Sequence, residues 1–321
     1  MPKLREIIGH QGILDELRLD IETGNIVHAY LFAGPRHLGK MTVAQWFSYQ
    51  LLCSGKPENE IDDCQRQFEK LTHPDLLVLD QLWMEDTADD WDFIAQTSNV
   101  SQQHRAKAKA KTDTISIDDV RAFQERLHEI SLGRWRCCII RSVERMQAEA
   151  ANAFLKILEE PPPGLVFILT TQSLQSLLPT MISRSRVLHF RQLPHEELEP
   201  LLKGSDEDDD RLILRVAQGA PGIVQLLTQD PEQLRLHKAM YAHARSFWQA
   251  QTLAQRLALL KPLEKRGEES DQLLLHLSLA LRDQQAEWGA VRALNTLITD
   301  LQTNAYRTLL AQRFAVSLEA A

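Results

Sequence analysis

The chain has 321 residues, 44% of them hydrophobic and 25% charged, with a formal net charge of −8. That length and balance predict a globular protein of two or three domains, and the acidic excess argues against a surface that coats DNA, though not against local phosphate contacts or membership of a DNA-bound assembly. No apolar run approaches the roughly 20 residues needed to cross a bilayer, so no membrane association is expected.

The first residues, MPKLRE, lack the apolar centre of a signal peptide, and no leader is expected. Residues 4–24 carry an amphipathic helical pattern (Ile13, Leu14, Leu17, Ile21) that Gly24 and Asn25 end. An alternation follows: strand 29–33, helix 40–53, strand 75–80, helix 117–130, strand 136–141, helix 147–159 and strand 165–170. This rhythm predicts an α/β domain with a parallel sheet covered by helices on both faces. Residues 84–113 break it with an acidic run and then Arg105, Lys107, Lys109 and Lys111 between alanines. They are predicted to form a solvated, partly disordered insertion, with phosphate contact as the other reading. From about 193 onward only helical patterns remain: 194–203, 207–217, 220–228, 231–252, 253–265, 269–287 and 289–315. The acidic tract 205–210 reads as a solvated loop entering one of these helices. The leucine stripes near the end (Leu273, Leu277, Leu281; Leu294, Leu297, Leu301) read as bundle core, a subunit interface being the alternative.

Between the first strand and helix lies GPRHLGKMT, residues 34–42. Gly34 and Gly39 allow backbone amides to curl around an anion at a helix N-terminus, and Lys40 adds a point charge. A Mg²⁺-dependent P-loop places Ser or Thr directly after the lysine, where this chain has Met41; Thr42 comes one residue late and is expected to face elsewhere. The partner of such a loop is a strand ending in acids that hold Mg²⁺ and orient water. The strand 136–141 instead leads to Arg141 and Ser142, and a cation there repels the metal. Glu144, the nearest carboxylate, stands two residues beyond the expected place. An autonomous ATPase therefore fails at Met41, Arg141 and Ser142 together. An unrelated P-loop kinase lacks a catalytic base after the loop.

Three segments are together highly specific: HAYLFAG at 28–34, NAFLKILEEPP at 152–162 and LLPTMISRSR at 177–186. With them the chain resembles the delta-prime subunits of bacterial DNA polymerase III clamp loaders, a family of AAA+ proteins. The similarity is densest over 5–53 and 115–190. The resemblance implies a RecA-like domain at 1–190, a small helical lid at 191–230 and a C-terminal helical collar at 231–321 that joins partner subunits. It further implies a non-hydrolysing end piece of a five-subunit arc that opens a sliding clamp and places it on primer–template DNA. The tau/gamma motor subunits and delta would be its partners, and the bacterial cytoplasm its location. The alternative is an ATP-hydrolysing motor subunit, which would be expected to carry Ser or Thr at 41 and acids at 141 and 142.

The family's Ser-Arg-Cys motif falls on Ser183, Arg184 and Ser185, which assigns Arg184 as an arginine finger acting in the ATP site of a neighbour. Arg186 is the residue most easily mistaken for it. The lid arginine that senses nucleotide would fall at Gly222, and the first sensor near Thr171 or Gln172. Family members often carry a four-cysteine zinc module after the P-loop helix. Here Cys53 and Cys64 stand with Asp62, Asp63 and His73 and no Cys-x-x-Cys pair, so a metal-free loop is expected and zinc is not. Cys137 and Cys138 are neighbours on one strand, facing opposite sides, and are poor disulfide partners. For Gly34, Gly39, Lys40 and Thr42 two readings stand: ATP or ADP held without hydrolysis, with Ile7, Ile8 and Gly9 flanking the adenine, or a loop serving only as a turn.

Overall fold

The computed structural model describes residues 7–53, 56–79, 114–127, 131–202, 206–284 and 288–318. The expected insertion at 84–113 lies outside them. The chain divides into two compact units, Met1–Leu193 and Pro194–Ala321.

The first unit is built on five strands: β1 (Ala29–Ala33), β2 (Leu76–Leu79), β3 (Arg136–Ile140), β4 (Leu165–Thr171) and β5 (Arg186–His189). They form one sheet in the order β2-β3-β4-β1-β5. All pairings are parallel, with Ala29 opposite Phe167 and Leu31 opposite both Leu169 and Val187. Every residue of β1 to β4 is buried, as a sheet covered on both faces requires. On one face Leu31, Cys138, Phe167 and Leu169 pack against Phe123 and Phe154, the latter edge-on to Phe167 with ring centres 5.1 Å apart. The strand order and the loop after β1 make this unit a RecA-like AAA+ domain.

Two elements depart from expectation. The sequence pattern does not predict β5, which has four residues of which only Leu188 is buried, and β1 supplies its sheet partner. A helix, Glu58–Glu69, also follows the P-loop helix, and Cys64 on it is joined by a disulfide to Cys53. Both sulfurs are thus committed to each other, and the His73 ring accepts the Asp75 amide at 3.2 Å. Among the described residues no group of three or more His, Cys, Asp or Glu is arranged to hold a metal. No described helix is long and apolar enough to cross a membrane. Cys137 and Cys138 are free and buried.

The second unit, which contains most of the expected lid and all of the expected collar, is helical. The helix expected at 207–217 runs Glu207–Ala217 and takes in most of the acidic tract: Asp206 accepts the Asp208 amide as N-cap, and Glu207 to Asp210 form the first turn, where the helix dipole favours negative charge. The core joins Phe247 and Phe314, stacked at 5.5 Å, to Leu273, Leu277 and Leu297. The 289–315 pattern is two helices, Trp288–Leu301 and Arg307–Ser317. Thr303 breaks it locally, its hydroxyl donating to the Asp300 carbonyl at 2.6 Å and accepting from the Ala305 amide at 3.2 Å. Arg266 holds the turn through the Thr303 carbonyl and Asn304.

A buried histidine pair gives this unit an acid limit. His237 Nδ1 and His276 Nε2 lie 2.9 Å apart, and His276 is fully buried. Burial and then the neighbouring His237 push the His276 pKa down to about 4. Burial also lowers that of His237, against the pull of Glu268. Both folded-state values lie below that of the unfolded chain, so the stability from neutral rings is complete above about pH 6.5 and is lost as pH falls towards the folded values. For His276 alone the loss is at most about 3 kcal/mol. Urea unfolding of this unit at pH 7 and pH 5 is expected to show the decline, and His276→Phe to flatten it.

Candidate functional site: a P-loop without its metal acids and an exposed arginine

β1 ends at Ala33, and the chain turns through residues 34–39 into the helix Lys40–Cys53. The turn is fixed at both ends. The Gly34 amide donates to the Thr171 carbonyl at 3.1 Å, while the Val43 amide donates to that of Gly39 at 3.0 Å. Gly34, Gly39 and His37 have positive φ. Behind the loop, His10 contacts the Leu38 carbonyl through Nε2 at 2.9 Å and lies 4.7 Å from the Phe190 ring. No local pattern in the sequence marks this brace. Ile7 and Ile8 precede it and are half-buried, as are Met41 and Thr42.

The loop's cation is turned inward. Lys40 Nζ donates short hydrogen bonds to the Gly34 and Pro35 carbonyls. Its pKa falls to about 8, mainly through burial, with Arg141 and Arg36 lowering it and Glu144 opposing them. Burial first, and then Arg36, Arg141 and Lys40, also lower the pKa of His37. The positive charge at Arg141 is therefore felt at the phosphate loop itself, where a metal-binding carboxylate would act in a hydrolysing enzyme. The ¹³Cε resonance of Lys40 is expected to titrate with a midpoint near 8, well below surface lysines. Because the folded value lies below the unfolded one, this group adds stability as pH rises from about 8 towards 10.5.

Glu144 reaches the loop despite its position in the sequence. Ser142 adopts the left-handed conformation and donates its amide to Thr170 Oγ1 at 3.0 Å, starting a short 3₁₀ turn, Val143–Arg145. That turn brings the Glu144 carboxylate to the Gln172 amide at 3.2 Å. Its other oxygen is buried with no hydrogen-bond partner. Gln172, one of the two expected sensor positions, also accepts from Arg36 Nε at 2.9 Å, which ties Gln172 to the loop. Thr171 instead donates to the Ser173 carbonyl. A cleft of about 470 Å³ opens beside them, lined by Gly34, Gln172, Gln175, His189 and Arg191.

The two arginines of the 177–186 segment have different surroundings. Arg186 is pinned within its own domain: it donates to both Asp20 oxygens at 2.6 and 2.7 Å and to Glu16 at 3.0 Å, while Tyr30 donates to the same Asp20. Arg184 caps the short helix Pro179–Ser183 and is 34% exposed. It donates to the Thr180 carbonyl at 3.0 Å and pairs with Glu159 at 2.8 Å. Ser185, where the resembling family carries Cys, donates to the Met181 carbonyl at 2.9 Å. Gly222 lies in the first turn of the helix Pro221–Gln229, which has no arginine at that position.

Sequence comparisons bear on the same regions. Among curated proteins, the chain is 28% identical over 216 residues to the DNA polymerase III delta' subunit of Bacillus subtilis, covering 65% of this chain and 56% of that one. It is 27% identical over 226 residues to the gamma/tau subunit of Mycobacterium tuberculosis H37Rv, covering 67% and 35%. With the tau subunit of Escherichia coli K12 it shares 28% over 202 residues, covering 62% and 27%. The chain thus spans between a quarter and somewhat over half of these relatives' lengths. A gamma-subunit-related protein of Thermotoga maritima aligns structurally with a TM-score of 0.46 and 17% identity, over 95% of this chain and 99% of that one. The Thermotoga RuvB Holliday junction branch migration motor aligns with a TM-score of 0.47 and 16% identity, over 96% and 90%. A family model described as "DNA polymerase III, delta subunit" matches residues 9–194, and the chain belongs to that family.

Proposed function

We propose that the chain is a delta-prime-type clamp-loader subunit that does not itself hydrolyse ATP and supplies Arg184 in trans to the ATP site of a neighbouring motor subunit. The observation that carries this reading is Arg141 in the seat of the metal-binding acid, with its charge acting on Lys40 and His37. Met41 after the lysine and Gly222 in the lid position point the same way. The Arg184 side chain, 34% exposed, supports the second part: its guanidinium is planar and permanently charged, and part of the side chain is open to solvent. Its proposed partners are the tau/gamma and delta subunits, with the sliding clamp and primer–template DNA reached through the complex, in the bacterial cytoplasm. In this reading residues 191–230 are the lid and 231–321 the collar, and ATP or ADP in the P-loop would be held rather than hydrolysed.

The test is clamp- and DNA-stimulated ATP hydrolysis by a loader reconstituted with this chain, wild type against Arg184→Ala, with the chain alone as the blank. A silent blank and a slowed but intact assembly are expected. Turnover by the chain alone would overturn the non-hydrolysing assignment and favour a motor subunit. An unchanged rate with Arg184→Ala would overturn the finger.

A further inference from the structure

Arg184 is held by a carboxylate of its own domain. Glu159 ends the helix Ala148–Glu159, and its Oε1 lies 2.8 Å from Arg184 Nη2. The other terminal nitrogen, Nη1, donates to the Thr180 carbonyl at 3.0 Å. Each contact takes one N–H of a terminal nitrogen, so a phosphate that is to take the whole fork has to compete with them. The holding charge is reinforced locally, because Glu159 sits at the negative end of a helix dipole with Glu160 next to it, also exposed. The contrast with Arg186 is instructive. Arg186 is fixed by Asp20, which is only 8% exposed, together with Glu16, whereas the Glu159 side chain is 50% exposed. An ion pair between groups that open to solvent is weak and exchangeable.

We infer that Glu159 is a positioning residue that latches the Arg184 guanidinium against its own domain, so that a neighbour's ATP phosphates must displace this carboxylate before the finger engages. The inference rests on the assignment of Arg184 as a finger in trans. The competition is between two anions for one fork. Glutamate therefore raises the ATP concentration needed for engagement without altering the chemistry once Arg184 has moved. Glutamine keeps the shape and a hydrogen-bond acceptor but removes the competing charge.

Two measurements test the latch. In the isolated chain, phenylglyoxal labelling of Arg184, located by peptide mass spectrometry, is expected to rise with Glu159→Gln; this readout does not depend on the finger assignment. In the reconstituted loader, Glu159→Gln is expected to lower the half-saturating ATP concentration by about two- to fivefold, the range of an exposed ion pair, with kcat unchanged. The same substitution in an Arg184→Ala background is expected to shift nothing further. Unchanged labelling, an unchanged or raised half-saturation point, or an equal shift in the Arg184→Ala background would each overturn the latch. If labelling rises but Arg184→Ala alone leaves hydrolysis at the wild-type rate, it is the finger assignment that has failed, and the latch as a functional device fails with it.

Discussion

A loader carrying Arg184→Lys is expected, on the proposed assignment of Arg184 as a finger in trans, to hydrolyse ATP almost as poorly as one carrying Arg184→Ala at the neighbouring site, with a loss of about 10³-fold there for either. The reason is geometric. The transition state of phosphoryl transfer spreads charge over several oxygens, and a planar fork meets two of them where an ammonium presents a single point. Because Arg184 is 34% exposed and its polar contacts go to Thr180 and Glu159, neither change should dissociate the assembly; analytical gel filtration beside the kinetics checks this. Full recovery with lysine would mean that charge alone matters at this position. The other neighbouring sites keep their own residues, so the loss must be read per site rather than from the summed rate.

The alternation of strands and helices was legible because a sheet covered on both faces needs uninterrupted apolar runs, and residues 29–33, 136–140 and 165–171 supply them. The absent acids were legible for a similar reason: chemistry that needs a carboxylate at a strand end cannot be met by Arg141 and Ser142. What sequence could not give was set by contacts distant along the chain. β5 is four residues with an arginine at one end and a histidine at the other, and it becomes a strand only because β1 offers an unpaired edge. Glu144 stands beyond the strand end in sequence, and the left-handed Ser142 is what brings its carboxylate to the Gln172 amide. His10 lies 28 residues from the Leu38 carbonyl it braces, and no local pattern records that meeting. Arg184 and Arg186 have the same residue type two positions apart. Their side chains are about equally exposed, 34% and 36%, and what separates them is the carboxylates brought by other helices: the exposed Glu159 for Arg184, the buried Asp20 with Glu16 for Arg186.

Gly34→Ala is expected to destabilise the first unit by about 3 kcal/mol or more, and Gly39→Ala in the same loop by only about 1 kcal/mol. An added Cβ at Gly34 would lie 2.3 Å from the Phe190 carbonyl oxygen and 3.1 Å from its carbon, at a φ of +150°. The obstacle is backbone, and it cannot step aside. The Phe190 amide donates to Ala33 at 2.7 Å and the Gly34 amide to Thr171 at 3.1 Å, so the end of β1 is tied on both sides. Gly39 has a φ of +84° but nothing within 4 Å of an added Cβ, which leaves only the backbone cost. Hydrogen exchange of the β1 amides under increasing urea would measure both losses, and equal losses would refute the steric account. The difference bears on why a loop without its metal acids begins with this glycine. Gly34 is required where β1 passes Phe190, whether or not a phosphate ever arrives, whereas Gly39 shapes only the turn that would receive one.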